Sequence, residues 1–124
     1  MIIGTGIDIV EVDRIAGLLS KENGIREKIF SQQEIEYCNS KSKSAEHFAA
    51  RFAAKEAFLK AIGQGLNAGF DLFNIIIRIE AGGNPVMVLQ GDFERMAKEG
   101  HWHKVHVSMS HTSSMACATV TIEG

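Results

Sequence analysis

The spacing of apolar positions changes several times along the chain, and each change marks an element. Isoleucines crowd residues 2–10 in a run broken by Gly4 and Gly6, which predicts a first strand. Asp13 stands where an N-cap belongs, ahead of a helix carrying Arg14, Ile15, Leu18 and Leu19, and Asn23-Gly24 ends it. A short helix is expected over residues 25–30. Another begins near Ser31, with Glu34 three residues on, the pattern of a reciprocal capping box. Residues 39–44, rich in lysine and serine, read as a polar loop. The strongest helical segment runs over residues 45–62, alanine-rich and free of proline, with Gly63 in the place of a C-terminal cap. A glycine-bearing loop, residues 63–69, follows. Residues 74–81 and 85–90 are β-rich and joined by Gly82-Gly83-Asn84, a hairpin. Asp92 is expected to cap a short helix that stops at Gly100. Residues 104–110 and 116–122 form a second hairpin around His111-Thr112-Ser113-Ser114. No repeat recurs at a fixed period and no low-complexity linker interrupts the pattern. The sum is one α+β domain over residues 1–124, with a largely antiparallel sheet packed on one long helix and several short ones.

Composition narrows the function classes. A chain of 124 residues buries roughly two-thirds of its unfolded surface and needs no disulfide staples. A net charge of −2 argues against a general nucleic-acid or membrane-surface role, so a charged partner must be met by a local patch. Cys38 and Cys117 are far apart and form no metal or redox spacing. They are expected to be reduced, packed thiols of a cytoplasmic protein. Met1-Ile2-Ile3-Gly4 lacks the basic and long apolar regions of a signal peptide, and no apolar run approaches the roughly 18 residues that span a bilayer.

The long helix carries an anomaly. At about 100° per residue, Phe48, Phe52 and Leu59 share one stripe, while Ala50, Ala54, Ala57 and Ala61 line much of the far side. Arg51 and Lys55 are expected to mark an ordinary solvent edge. Glu56 and Lys60 fall elsewhere, beyond the Phe stripe and next to Ala49 and Ala53. One account is an i,i+4 ion pair that stabilises the helix by ~0.2–0.5 kcal/mol. The other is a cleft with small walls, where a carboxylate binds a hard cation and a lysine one turn on reaches the phosphates that cation holds. Asp8 is a second anomaly, because it interrupts Ile7-Asp8-Ile9-Val10. Strand alternation puts it on a face with Gly4, Gly6 and Val10, where glycine permits close approach of a backbone or a ligand. A buried carboxylate needs a partner. A strand end at the surface, a backbone hydrogen bond, or a metal site shared with Glu56 would each supply one.

Three segments together resemble the 4′-phosphopantetheinyl transferase family, in its short bacterial form. They are Gly4-Thr5-Gly6-Ile7-Asp8-Ile9-Val10-Glu11 with Arg14-Ile15; Arg51-Phe52-Ala53-Ala54-Lys55-Glu56-Ala57-Phe58-Leu59-Lys60-Ala61 with Gly63-Gln64-Gly65; and Val107-Ser108-Met109-Ser110-His111-Thr112. Their order and spacing match over essentially the whole chain. The resemblance implies the family's fold and its reaction: transfer of 4′-phosphopantetheine from coenzyme A to a serine of an apo acyl carrier protein in fatty-acid biosynthesis, releasing adenosine 3′,5′-bisphosphate. It implies Mg²⁺, with Mn²⁺ as the alternative, on Asp8 and Glu56. These two residues and Lys60 then form the catalytic set. Two protein ligands suffice for Mg²⁺, because substrate phosphates and waters complete its shell. Lys60 would neutralise charge on the phosphates. The serine proton could go to a water on the cation, to Glu56 or to Lys60; a water linked to a carboxylate is favoured, because a lysine paired with phosphates stays protonated. Lys60, Gly63, Gly65, Ser108 and His111 would border coenzyme A. Arg14, Lys21, Arg26 and Lys28 would meet the acidic carrier, in a patch diluted by Glu22 and Glu27 and interrupted by Gly24. The family form is a homotrimer with the coenzyme in the cleft between subunits.

Bland alternatives accompany each motif. His111-Thr112-Ser113-Ser114 is also an ordinary polar turn. Gly63-Gln64-Gly65 follows a helix rather than a strand, so it is no dinucleotide or phosphate-loop fingerprint. His101, His103 and His106 have no evident third partner for zinc. Trp102, Met87 and Met109 fit packing. A Mg²⁺-dependent phosphohydrolase or a non-catalytic binding module could use the same carboxylates. The first would release free phosphopantetheine without a carrier, and the second would show no turnover.

Overall fold

The computed structural model describes residues 1–64 and 71–124. Strand β1 covers Ile2–Glu11 and runs directly into helix α1, Val12–Leu19. Helices α2 (Ile25–Ile29) and α3 (Gln32–Asn39) follow, then the long α4, Ser44–Ala61. A 3₁₀ turn at Leu72–Asn74 leads into β2, Ile75–Ile79, and β3, Pro85–Leu89. Helix α5 (Asp92–Glu99) and the hairpin β4 (Lys104–His111) and β5 (Met115–Glu123) complete the chain.

Among the described residues all strand pairing is antiparallel, in two sheets. One has the order β1-β5-β4 and the other is the β2-β3 hairpin. In β1, Gly4, Gly6, Asp8 and Val10 turn inward, and Ile3, Thr5, Ile7 and Ile9 turn outward. In β5, Ala116, Ala118, Val120 and Ile122 are buried on the inner face. Helix α4 lies against that face, and eleven of its residues are buried, so it is the axis of the core. A helix apolar nearly all round belongs in an interior.

Two glycines set how closely strand and helix approach. A Cβ on Gly6 would stand 1.9 Å from the Ala57 carbonyl oxygen, and one on Gly4 would stand 2.1 Å from that of Ala61. Only residues without a side chain let β1 lie on the α4 backbone at this separation. Just past this same end of α4, Gly63 adopts φ +76, its N–H donates to the Lys60 carbonyl, and the Gln64 N–H donates to that of Leu59. That pair of bonds is a Schellman motif, and glycine fills its left-handed position without strain.

The expected caps differ in detail. Glu11 rather than Asp13 occupies the N-cap of α1, with no side-chain cap bond, because β1 passes into the helix without a turn. Gly91 at φ +61 holds the N-cap of α5, so Asp92 is the first helical residue, where it pairs with Arg95 at 2.9 Å. The Ser31–Glu34 capping box is present in full.

The expected solvent edge of α4 is corrected by the structure. Arg51 is 2% exposed and Lys55 is fully buried. The Lys55 Nζ donates to Glu34 Oε1 at 2.7 Å, to the Leu72 carbonyl at 2.9 Å and to the Ile75 carbonyl. Glu34 also accepts from the backbone N–H of Ser31 and, through Oε2, of Ile77 at 3.1 Å. This network ties α3, α4 and β2 together. Burial lowers the Lys55 pKa to about 8, with the Glu34 charge and hydrogen bond acting the other way. Arg51 lies over the Tyr37 ring at 4.4 Å. Cys38 is a free thiol in the same region, and burial raises its pKa to about 11. The expectation of packing roles for Met87, Met109 and Trp102 holds, as all three lie in or against the core.

Candidate active site

Inward-facing Asp8 meets α4 one turn before the helix ends. Its Oδ1 accepts from the Lys60 Nζ at 2.9 Å, and the same ammonium donates to the Ile7 carbonyl at 3.0 Å. Lys60 therefore pairs with the strand and not with Glu56, so no i,i+4 ion pair forms on α4. The Lys60 side chain is 56% exposed and that of Asp8 is 10% exposed. The lysine thus reaches out from a carboxylate that the glycine-walled contact keeps half-dry.

Glu56 stands beside Asp8, and its pKa is raised to about 8. Burial is the largest cause, followed by a hydrogen bond with the Asp8 carboxyl and the repulsion of its charge; Arg14 and Lys60 pull the other way. Two adjacent carboxyl groups cannot both ionise cheaply without a cation. With both carboxyls ionised, and therefore acceptors only, Asp8 Oδ2 is buried with no hydrogen-bond donor. An orphaned oxygen beside a second carboxyl suits a hard divalent cation, whose remaining positions phosphates and waters can fill. Among the described residues no group of three or more His, Cys, Asp or Glu side chains is placed to hold a metal. His106 pairs with Glu123 at 2.9 Å.

The chain brings Asp8, Glu56, Lys60 and Gly63 to one end of α4. It does not bring Ser108 or His111 there. Ser108 is exposed on the outer face of the sheet, opposite Thr119, and the carboxylates occupy the inner face. His111 ends β4 and contacts Glu46 at 2.9 Å, ten residues before Glu56 and about 15 Å away along the helix. Gly65 lies outside the described residues. Arg14 is exposed on α1 on the Glu56 side, which its effect on the Glu56 pKa makes plain. Lys21 and Arg26 line a surface pocket of about 500 Å³ with Leu19, Ser20, Glu22, Gly24 and Glu27. Arg26 is also tied down, donating to the Leu19 carbonyl at 3.3 Å and lying 5.4 Å over the Phe48 ring. Lys28 is exposed on α2.

Sequence reasoning missed two participants. Lys55 looked exposed because helical periodicity does not see Glu34, 21 residues earlier. Glu46 gave no signal, since its partner His111 lies 65 residues away.

A family model described as the 4′-phosphopantetheinyl transferase superfamily matches residues 4–120. The holo-[acyl-carrier-protein] synthase of Syntrophus aciditrophicus is 44% identical over 125 residues, covering 100% of this chain and 98% of that one. The crystal structure of a holo-[acyl-carrier-protein] synthase from Neisseria meningitidis superposes with a TM-score of 0.89 at 32% identity, covering all of both chains. That of the Bacillus anthracis synthase in complex with CoA (3′,5′-ADP) gives a TM-score of 0.81 at 33% identity, covering 100% of this chain and 98% of that one.

Proposed function

The chain belongs to the 4′-phosphopantetheinyl transferase superfamily, and on that premise we propose that it acts as a holo-acyl-carrier-protein synthase, moving 4′-phosphopantetheine from coenzyme A to a serine of an apo acyl carrier protein. The observation that carries this proposal is the Asp8–Lys60 contact at 2.9 Å with Glu56 against the same carboxyl. It places an acidic pair and an accessible cation side by side, as phosphoryl transfer requires.

Asp8 and Glu56 would hold Mg²⁺, or Mn²⁺ in its place. Bound there, the ion would neutralise charge on the pyrophosphate of coenzyme A. Lys60 reaches the same phosphates as a point charge, and Asp8 and the Ile7 carbonyl hold its ammonium in position. The carrier serine oxygen forms a bond to the phosphorus next to pantetheine. The bond to the bridging oxygen breaks, and adenosine 3′,5′-bisphosphate leaves with that electron pair. The serine proton passes to a water linked to the carboxylate pair. Gly63 ends the helix beside Lys60 and keeps that border of the site free of side chains.

Ser108 and His111 border the nucleotide end of coenzyme A in this proposal. Their distance from Asp8 and Glu56 within one chain supports a homotrimer with each site between two copies. Arg14, Lys21, Arg26 and Lys28 form the basic edge for the carrier, and Arg14→Glu should raise the KM for the carrier severalfold while sparing coenzyme A; an unchanged KM would remove it from that edge. We place the protein in the cytoplasm, at carrier loading for fatty-acid synthesis. No helix among the described residues is long and apolar enough to cross a membrane.

The test is a mass spectrum of apo acyl carrier protein incubated with this chain, coenzyme A and Mg²⁺, with and without chelator. A carrier heavier by one phosphopantetheine arm, only when metal is present, is the expected result. A carrier of unchanged mass beside folded protein would overturn the proposal.

A further inference from the structure

Buried residues surround helix α4, and five of them, Ala49, Ala50, Ala53, Ala54 and Ala57, carry only a methyl. Such packing resists a small turn of the helix weakly, since one methyl takes the place of another. The contact of Gly4 and Gly6 with the helix backbone limits its distance from β1. Lys60 reaches β1 on a long, half-exposed stem that adapts to small turns. The bonds of Lys55 differ, because they have direction and no solvent to yield to. Its side chain and that of Glu34 are fully buried, 2.7 Å apart. The three protons of the ammonium meet three acceptors: Glu34 Oε1, the Leu72 carbonyl and the Ile75 carbonyl. Glu34 is itself held. Its Oε1 also accepts from the Ser31 N–H at 2.9 Å, and its Oε2 accepts from the Ile77 N–H at 3.1 Å.

We infer that Lys55 is a positioning residue for the transfer reaction, clamped by Glu34 and two carbonyls so that α4 keeps the rotation that delivers Glu56 to Asp8. This rests on the assignment of the carboxylate pair above. Lys55 and Glu56 are consecutive, so about 100° separates their directions around the helix. Pinning the first to α3 and β2 aims the second at β1. Side chains end ~5–6 Å from a helix axis, so a turn of ~20° carries a carboxyl by ~2 Å. A catalytic constellation tolerates only about 0.5 Å. A buried ion pair adds little stability over apolar residues of the same volume, and its attested use is to specify one registry. That is the reason for a charge here, where a leucine or methionine would fill the same space. Lys55 touches neither substrate nor metal in this role and acts only through the residue that follows it.

The experiment measures Mn²⁺ binding to the full chain in the presence of coenzyme A by electron paramagnetic resonance, beside steady-state kinetics of carrier loading. Glu34→Gln keeps the shape of the acceptor, and Lys55→Met keeps the volume of the stem. Met87→Ala, an apolar core change in β3, is the control for lowered melting temperature alone. All are compared as folded protein, below their melting temperatures. Glu34→Gln should raise the Kd for Mn²⁺ about tenfold and lower kcat about tenfold, with the KM for the carrier within about twofold of the wild type. Lys55→Met should match it where it folds, and Met87→Ala should keep the wild-type Kd. A network that only stabilises the fold would change the folded fraction and leave these constants unaltered per folded molecule; that result for Glu34→Gln overturns the inference. An equal loss of Mn²⁺ affinity in Met87→Ala overturns it too, because any loosening would then suffice. A wild type that binds no Mn²⁺ overturns it together with the metal-dependent function proposed above. A wild type that binds Mn²⁺ and coenzyme A but modifies no carrier overturns the proposed function alone.

Discussion

At the scale of single residues, Glu56 is the most informative side chain. Its carboxyl has an ordinary pKa of 4.5 and is held at about 8 in the folded chain. Between those values the unfolded chain has released a proton that the folded chain retains. Stability of the metal-free protein should therefore fall as pH rises through this window, with the loss complete above about pH 8. Glu56→Gln removes the titration, so its melting temperature should cross from near wild type at acid pH to above it at pH 8 in chelator. Mg²⁺ should restore the wild type at the alkaline end, because binding releases the shared proton, and should do little for the variant. Parallel melting curves for the two proteins across pH would end the assignment of the raised pKa to Glu56. The same substitution should abolish metal-dependent carrier modification, and near-normal turnover would remove Glu56 from the metal. Asp8 and Glu56 were legible in the sequence because each broke a local pattern, a strand in one case and a helix face in the other. Lys55 broke no pattern. An exposed and a buried lysine look alike when the partner carboxylate is 21 residues away, and the capping box that revealed Glu34 explained that residue completely on local grounds.

At the scale of elements, two contacts hold α4 from different directions. On one side the Lys55–Glu34 network joins it to α3 and β2. Lys55→Met should cost ~3–5 kcal/mol, since it leaves Glu34 charged and unpaired in the interior. Adding Glu34→Leu should not recover the wild type. The Ser31 and Ile77 amides and the Leu72 and Ile75 carbonyls would also lose their partners, and each orphaned group carries its own cost. Urea melts of the two single variants and the double variant decide this; a double variant as stable as the wild type would show the network to be dispensable. On the other side, Gly4 and Gly6 let β1 rest on the helix backbone. Gly6→Ala has no flexible atom to push aside, only the Ala57 carbonyl and the Ala61 amide. It should cost ~1–3 kcal/mol and move Asp8 off Lys60, so that carrier modification falls at temperatures where the variant is still folded. Wild-type melting and turnover would show that the close approach is unimportant. The strand, both hairpins and the long helix were legible because their periods are local. The split into two sheets was not, because nothing in the β2-β3 hairpin states that its edges stay unpaired with β4.

At the scale of the whole molecule, the outer face of the three-stranded sheet is the feature the single chain does not explain. Ile3, Ile7 and Ile9 are 49%, 65% and 63% exposed on it. Ile7 and Ile9 lie opposite Thr119 and Cys117 of β5. Three isoleucines on one strand face, backed by a fully packed inner face, suit burial against another copy. Alternation made this face readable, since each inward Gly, Asp or Val of β1 forces an outward neighbour, but the sequence alone did not tell a covered face from a bare one. Light scattering should give a mass three times the 13.6 kDa of one chain, and Ile9→Lys should reduce it toward one chain. A single-chain mass for the wild type would exclude the trimer. Assembly also bears on catalysis, because His111 and the carboxylate pair sit at opposite ends of α4. If each site takes its carboxylates from one copy and His111 from the next, chains carrying Glu56→Gln and chains carrying His111→Gln should each be nearly inactive at subsaturating coenzyme A. Mixed during refolding, they should regain a fraction of the activity, because some interfaces then pair an intact Glu56 with an intact His111. Sites contained within one chain could never be repaired in this way, and a mixture as inactive as its parents would place all of these residues around the same copy's α4.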